Sequence, residues 1–298
     1  MKRTLVSTVL AGSLAGSLML SFAPGAQASA TSQVPAAAAS SAAPQEVDIP
    51  VTPDGFTAPS VLRAGPVTLR VRSTDPRGAW IGLVRLRPGV PLERYLEDLE
   101  RAMGDDPVEG GKAVARDAEM LGGAAVAHAP AAVTMKLTPG EYHLIDFRDV
   151  GLPDLADRVR PVRALAGHPR TDTADIRPAA RITLRDGAFE APDVLSGPVQ
   201  VVNRSRQHNE AMLMPVRPGT TLADLDAFFA DVDAGRRPSG SPFTGGPTGV
   251  VPLSPGRSAV LTTDLPPGEY ALVTWVRDLR TGSMFAARGM RMLITVQG

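Results

Sequence analysis

The 298-residue chain contains no cysteine. That absence removes disulfide staples, thiol catalysis, iron–sulfur ligation and thiolate-bound copper together, so each domain must be held by its apolar core. Lysine is almost as scarce, standing only at Lys2, Lys112 and Lys136. Basic and acidic residues balance at 31 each, and a chain without excess positive charge lacks the basic face that nucleic acid needs. Beyond residue 30 no apolar run is long enough to span a bilayer. No serine sits in a nucleophile-elbow pattern, and no set of acid, base and nucleophile can be picked out. These absences lead us to expect a non-catalytic protein without a cofactor, whose ligand or protein or envelope partner the sequence does not name.

The N-terminus has the pattern of a secretory signal. Lys2 and Arg3 precede an apolar run from Leu5 to Ala23, and Ala28-Ser29-Ala30 offers a small-residue cleavage site. The expectation is a signal peptide over residues 1–30, a mature protein starting at Thr31, and a location outside the cytoplasm. Loss of Lys2 and Arg3 leaves 29 basic residues against 31 acidic ones. No cysteine follows the apolar run, which excludes a lipid anchor of the lipoprotein type. Residues 31–45 are mostly Ala, Ser, Pro and Gln, a composition that builds no core and reads as a spacer.

The body of the chain repeats itself. Asp54-Gly55-Phe56, Ala58-Pro59, Val61-Leu62 and Gly65-Pro66-Val67 are answered by Asp186-Gly187-Ala188-Phe189, Ala191-Pro192, Val194-Leu195 and Gly197-Pro198-Val199. Leu86-Arg87-Pro88-Gly89 is answered by Val216-Arg217-Pro218-Gly219, and Pro139-Gly140-Glu141-Tyr142 by Pro267-Gly268-Glu269-Tyr270. From that tetrad the two copies align without a gap as far as Arg163 and Arg291. Two copies imply two domains of one fold. We place them at residues 46–167 and 185–298, with an interdomain segment at 168–184.

Most segments alternate apolar and polar residues between Pro and Gly, the pattern of an all-β sandwich. Each copy also predicts one inserted helix. In the first, Leu92, Tyr95, Leu96, Leu99 and Met103 fall at helical spacing between Pro91 and Gly104. In the second, Leu222, Leu225, Phe229 and Val232 form the stripe, Thr221 and Asp224 suit a capping box, and Gly235 closes the run.

The second copy resembles the cupredoxin, or blue copper, family. Asn203 followed by His208-Asn209 resembles the loop that carries the family's first histidine ligand. Pro267-Gly268-Glu269-Tyr270 resembles the turn and strand before its ligand loop. Gly289-Met290, with Leu293, Ile294 and Val296, resembles the final strand with its axial methionine. The resemblance implies two tandem cupredoxin-like Greek-key β-sandwiches. It also places the family's cysteine at Thr274, and at Asp146 in the first copy. The stretch Val276-Arg277-Asp278-Leu279 holds no second histidine. A blue copper centre needs a thiolate and two imidazoles, so the resemblance carries the fold and not electron transfer.

His208, Met290 and Met284 remain as metal candidates, since one imidazole with thioethers can hold Cu(I). Met212 and Met214 share one face of an extended strand, as do Met290 and Met292, and methionines also fill cores. Asp146 is expected to point inward with Tyr142 and Leu144 and to take Arg148, Arg160 or Arg163 as partner. His128, His143 and His168 have no partners at metal spacing and are expected in surface or turn roles. Gly110-Gly111-Lys112 lacks the flanking glycine and the hydroxyl of a phosphate loop. Two functions follow: an exported binding or envelope module of copper-free domains, or an extracytoplasmic copper binder using His208 and the methionines.

Overall fold

In the computed structural model of the chain, residues 44–167 and 176–298 are described. The signal-like segment 1–30, most of the spacer 31–45, and His168 lie outside the described residues. The first copy runs β1 (Gln45–Thr52), β2 (Gly55–Phe56), β3 (Val61–Arg63), β4 (Gly65–Ser73), β5 (Trp80–Leu86), α1 (Leu92–Met103), α2 (Pro107–Asp117), β6 (Ala118–Val126), β7 (Ala131–Leu137), β8 (Gly140–Asp146), the short α3 (Leu155–Arg158) and β9 (Arg160–Leu165). The second runs β10 (Ala180–Arg185), β11 (Ala188–Glu190), β12 (Val194–Ser196), β13 (Val199–Asn203), β14 (Asn209–Pro215), α4 (Leu222–Asp233), β15 (Thr248–Leu253), β16 (Ser258–Thr263), β17 (Gly268–Val273) and β18 (Arg291–Gln297). Every strand of the first copy has a counterpart in the second, in the same order. No helix among the described residues is long and apolar enough to cross a membrane.

The strands form two sheets that pass through both copies. One has the order β11-β10-β13-β16-β7-β4-β1-β2 and the other β12-β18-β17-β14-β15-β6-β5-β8-β9-β3. Within each copy the first strand pairs parallel with the fourth (β1 with β4, β10 with β13), and the third pairs parallel with the last (β3 with β9, β12 with β18). The two sheets close on an inner core that includes Ile49, Leu69, Val133 and Leu144 from the first copy and Ile182, Val201, Leu261 and Leu272 from the second. Burying large aliphatic side chains between two sheets is the main favourable contribution, about 1.5–3 kcal/mol for each fully buried one. The tyrosine of each repeated tetrad points inward and donates its hydroxyl to a carbonyl four residues back: Tyr142 to Thr138 at 2.7 Å and Tyr270 to Pro266 at 2.9 Å.

The ten-stranded sheet is covered on its outer face too. Helices α1 and α4 lay Tyr95, Leu99, Leu225 and Phe229 over Val84, Ile145, Met212 and Met214. A sheet buried on both faces loses the alternation of a half-solvated strand, and all seven residues of β14 are buried. The capping box of α4 forms as expected: Thr221 Oγ1 accepts from the Asp224 N–H, and Asp224 accepts from the Thr221 N–H.

The copies join along two antiparallel seams, β6 against β15 and β7 against β16. Ile81 pairs with Ala124 in the first copy, and its counterpart Ala211 pairs with Val250 in the second, so Ala124 and Val250 are equivalent. They also sit opposite one another across the seam. The same holds for Thr134 and Val260. The two copies are thus related by a local two-fold axis, and the described residues fall in one compact unit.

Three features depart from the expectations above. The first copy holds a second long helix, α2, where the sequence suggested only one insertion. Asp106 caps it by accepting from the Glu109 N–H, and Pro107 supplies the fixed φ that suits a first turn. The glycines of Gly110-Gly111-Lys112 serve close packing: a Cβ on Gly110 would lie 2.4 Å from the Ala102 backbone nitrogen, and one on Gly111 would lie 2.4 Å from Leu279 of the second copy. The ungapped match to Arg163 and Arg291 is also corrected. Gly140 pairs with Ala164 and Gly268 with Val296, so the final strands correspond as Ala164 to Val296, and the second copy has a longer connection (274–290 against 147–159). Strand β10 runs over Ala180–Arg185, so it begins inside the expected interdomain segment 168–184 and ends at the first residue of the expected second domain.

Candidate functional site

The loop between β13 and β14 is held from inside by Asn203. Its amide donates to the carbonyls of Gln207 (2.9 Å) and Leu253 (2.6 Å), and its oxygen accepts from the N–H and hydroxyl of Ser205. The loop delivers His208 and Asn209 to opposite sides. Asn209 turns inward, where Nδ2 donates to Met290 Sδ at 3.4 Å and Oδ1 accepts from Thr274 Oγ1 at 2.9 Å. Asn209 at the start of β14, Thr274 just after β17 and Met290 just before β18 thus meet at one pole of a sandwich with paired parallel edges. The fold is cupredoxin-like.

No family model matches the chain, and no curated protein matches it. Similar solved structures include reduced auracyanin from the photosynthetic bacterium Roseiflexus castenholzii, 20% identical, covering 41% of this chain and 100% of that one at a TM-score of 0.23. A multicopper oxidase is 10% identical over 85% of this chain and 88% of its own, at a TM-score of 0.23. The copper-containing nitrite reductase of Thermus scotoductus SA-01 is 13% identical over 86% and 69%, at 0.21.

The cupredoxin-like pole of the second copy does not fit a blue copper centre. A hydroxyl stands at the cysteine position, and that hydroxyl and the Met290 sulfur are both engaged by Asn209. Met290 belongs to the inner core, whereas Met284, Met212 and Met214 belong to the outer layer beneath α4. His208 faces a different space again, described below. The structure does not gather His208, Met290 and Met284 into one donor set. Met292 is partly buried and packs against the inner core to which Met290 belongs.

At the same pole of the first copy an arginine takes the centre. The Arg148 guanidinium pairs with both Asp146 and Asp75, at 3.2 Å to the latter; both carboxylates are buried and the arginine side chain is 10% exposed. Asp146 also accepts from the backbone N–H groups of Trp80 and Arg148, each at 3.1 Å. Arg77, reaching in from solvent, and then Arg148 hold the Asp75 carboxyl well below the usual carboxylate range. Asp149, beside them, is pushed up by burial and by the Asp146 charge. Asp146 thus has the inward position and the Arg148 partner expected of it.

A space lined by aromatic and ionisable side chains lies between the copies. A cleft of about 240 Å³ is lined from the first copy by Trp80, Met120 and Phe147, and by Leu99, Met103 and Val114 of the two helices. The second copy contributes His208, Glu210, Pro252 and the segment Trp275–Arg277 with Leu279. Helix α2 closes one side through the Gly111–Leu279 contact. Both tryptophans of the chain line the cleft. Trp80 and Glu210 are equivalent positions, each preceding the matched pair Ile81 and Ala211, and Phe147 and Trp275 each follow the matched pair Asp146 and Thr274. The cleft therefore straddles the local two-fold axis.

Its polar groups are few, and Glu210 alone is buried, with His208, Trp275 and Arg277 partly exposed. Glu210 is 6% exposed. Its Oε1 accepts the Trp275 N–H at 2.8 Å, and burial pushes its carboxyl up to about 7. Burial pushes His208 down to about 4, so the imidazole is neutral at pH 7. Its Nδ1, like Trp275 Nε1, has no hydrogen-bond partner among the described residues. Arg277 is engaged with Asp233 (2.9 Å) and with the Gly282 carbonyl (2.8 Å). Sequence reasoning found His208 but missed Glu210 and both tryptophans. The available signal was a lone acid at the head of the apolar run Ala211–Val216, since a carboxylate on a fully buried strand needs a reason to be there. Of the other histidines, His128 lies edge-on to Tyr270 with ring centroids 6.2 Å apart, and His143 is half-buried on β8.

Proposed function

We propose that the protein is an exported, non-catalytic binding module of two copper-free cupredoxin-like domains that holds a small organic molecule in the cleft between its copies. The observation that carries this reading is the cleft itself, with apolar and aromatic walls and a few polar groups of shifted pKa, which is the usual make-up of a ligand site. Because the only two tryptophans line it, tryptophan emission is a direct reporter. Titration with phenol, benzylamine and 3,3-dimethylbutan-1-ol is expected to shift emission saturably for at least one of them. Ala102→Phe, which puts a ring into the cleft from α1, is expected to abolish that response. If none of the three changes the emission, the cleft is not a ligand site.

Copper plays no part in this reading, because the thiolate is missing and Asn209 occupies both Met290 and Thr274. Titration with Cu(I) against a competing chelator is expected to show no stoichiometric site in the wild type. A stoichiometric site that disappears in His208→Ala would reinstate metal binding. Export rests on the pattern of residues 2–30. N-terminal sequencing of protein recovered from the medium or envelope of an expressing bacterium is expected to begin at or near Thr31. An intact Met1 on protein found only in the cytoplasm would refute export.

A further inference from the structure

The cleft has a charge arrangement that narrows its occupant. Glu210 is buried at its edge and accepts one backbone hydrogen bond, and no cationic group of the protein is paired with it among the described residues. The two other ionisable groups that line the cleft cannot supply the missing charge. Arg277 is tied to Asp233 and to the Gly282 carbonyl, and His208 is neutral. Trp80, Phe147 and Trp275 line the same cleft as Glu210. Burying a carboxylate without a partner is costly, and an aromatic wall stabilises a cation placed against its face.

We propose that the cleft is a site for an organic cation, a small substituted ammonium whose charge is countered by Glu210 and whose alkyl groups rest against Trp80, Phe147 and Trp275. This rests on the cleft being a ligand site and names the chemical class it takes. The volume of about 240 Å³ suits a compact ammonium head. Metal ions are a poor match, because Glu210 and His208 are the only metal-ligating side chains lining the cleft, beside two methionines, and no group of three or more His, Cys, Asp or Glu that could hold a metal was found among the described residues.

The test compares choline with its uncharged isostere, 3,3-dimethylbutan-1-ol, on the full chain by tryptophan emission and calorimetry. Choline is expected to bind at least tenfold more tightly than the alcohol. Glu210→Gln, which keeps the acceptor for the Trp275 N–H, is expected to weaken choline at least tenfold and to leave the alcohol within about twofold, because only the charge is removed. Trp80→Leu is expected to weaken choline more than the alcohol. Equal affinities for the two probes, or unchanged choline binding in Glu210→Gln, would overturn the proposal. Should the alcohol or phenol bind while choline does not, the cleft stands as a ligand site and the cation assignment falls. If no probe binds, both fall. Should Glu210→Gln fail to fold, the wild-type comparison of the two probes still decides.

Discussion

Replacing Arg148 with Met is expected to cost roughly 3–5 kcal/mol of stability, measured as a fall in the urea midpoint at pH 7. Among the described residues the arginine is the only side-chain cation paired with Asp146, and that carboxylate is buried with two backbone N–H donors for company. Removing the guanidinium leaves the charge uncompensated, which costs far more than the pair contributes when intact. Asp75 keeps Arg77 and is affected less. The double variant Arg148→Met with Asp146→Asn is therefore expected to recover more than half of the loss, since an amide fills the same space without charge. An Arg148→Met protein as stable as the wild type would mean that the cluster is solvated and energetically idle. The pH dependence has a definite sign. The carboxyl of Asp75 lies below its ordinary value of 3.8, so its contribution is complete above that value and is lost only as pH falls through the depressed folded value.

Gly123→Ala and Gly249→Ala are expected to be the most damaging small substitutions on the seam. These glycines are equivalent, each preceding the matched pair Ala124 and Val250. A Cβ on Gly123 would stand 2.0 Å from the Ile81 carbonyl oxygen, and one on Gly249 would stand 2.1 Å from the Ala211 carbonyl oxygen. Both obstacles are backbone, so neither can swing aside, and overpacking alone costs about 1–3 kcal/mol. Gly123 also has φ +141, where a side chain adds strain of order 1–3 kcal/mol. The expected order of destabilisation in denaturant melts is Gly123→Ala above Gly249→Ala. Gly55→Ala separates the two effects, because Gly55 has φ +122 with nothing within 4 Å of the added carbon; it should lose only the strain contribution. Wild-type stability for Gly249→Ala would show that the β14–β15 pair can open to admit a methyl group.

The repeat, the sandwich and the two helices α1 and α4 were legible because they rest on local signals: matched turns, alternating apolar residues, a helical stripe and a capping box. The helix α2 was not, since Gly110 and Gly111 lower helix propensity and their reason, contact with Ala102 and Leu279, is long-range. The continuity of the sheets was hidden for the same cause. Nothing in Ala118–Val126 or Thr248–Leu253 shows that these strands seek each other rather than solvent. His208 could be picked out through the resemblance, but its direction could not. Asn209, one residue on, takes the inward position, and the parity of β14 then places His208 and Glu210 together on the cleft side. Trp80 and Trp275 lie far apart in the sequence, and only the seam brings them to one space.

The local two-fold axis also bears on descent. Equivalent residues facing each other across both seams are what two identical subunits of a homodimer would present, so the chain has the form of such a dimer fused end to end. In a symmetric dimer the positions of Trp80 and Glu210 would have to hold the same residue twice, either two indoles or two carboxylates. Fusion lifts that constraint. Once both halves lie on one chain, one side of the axis can carry the aromatic group and the other the acid, while Arg148 locks one pole and the other pole is left to Asn209. An asymmetric ligand can then be gripped in a single orientation by a scaffold whose backbone is still symmetric.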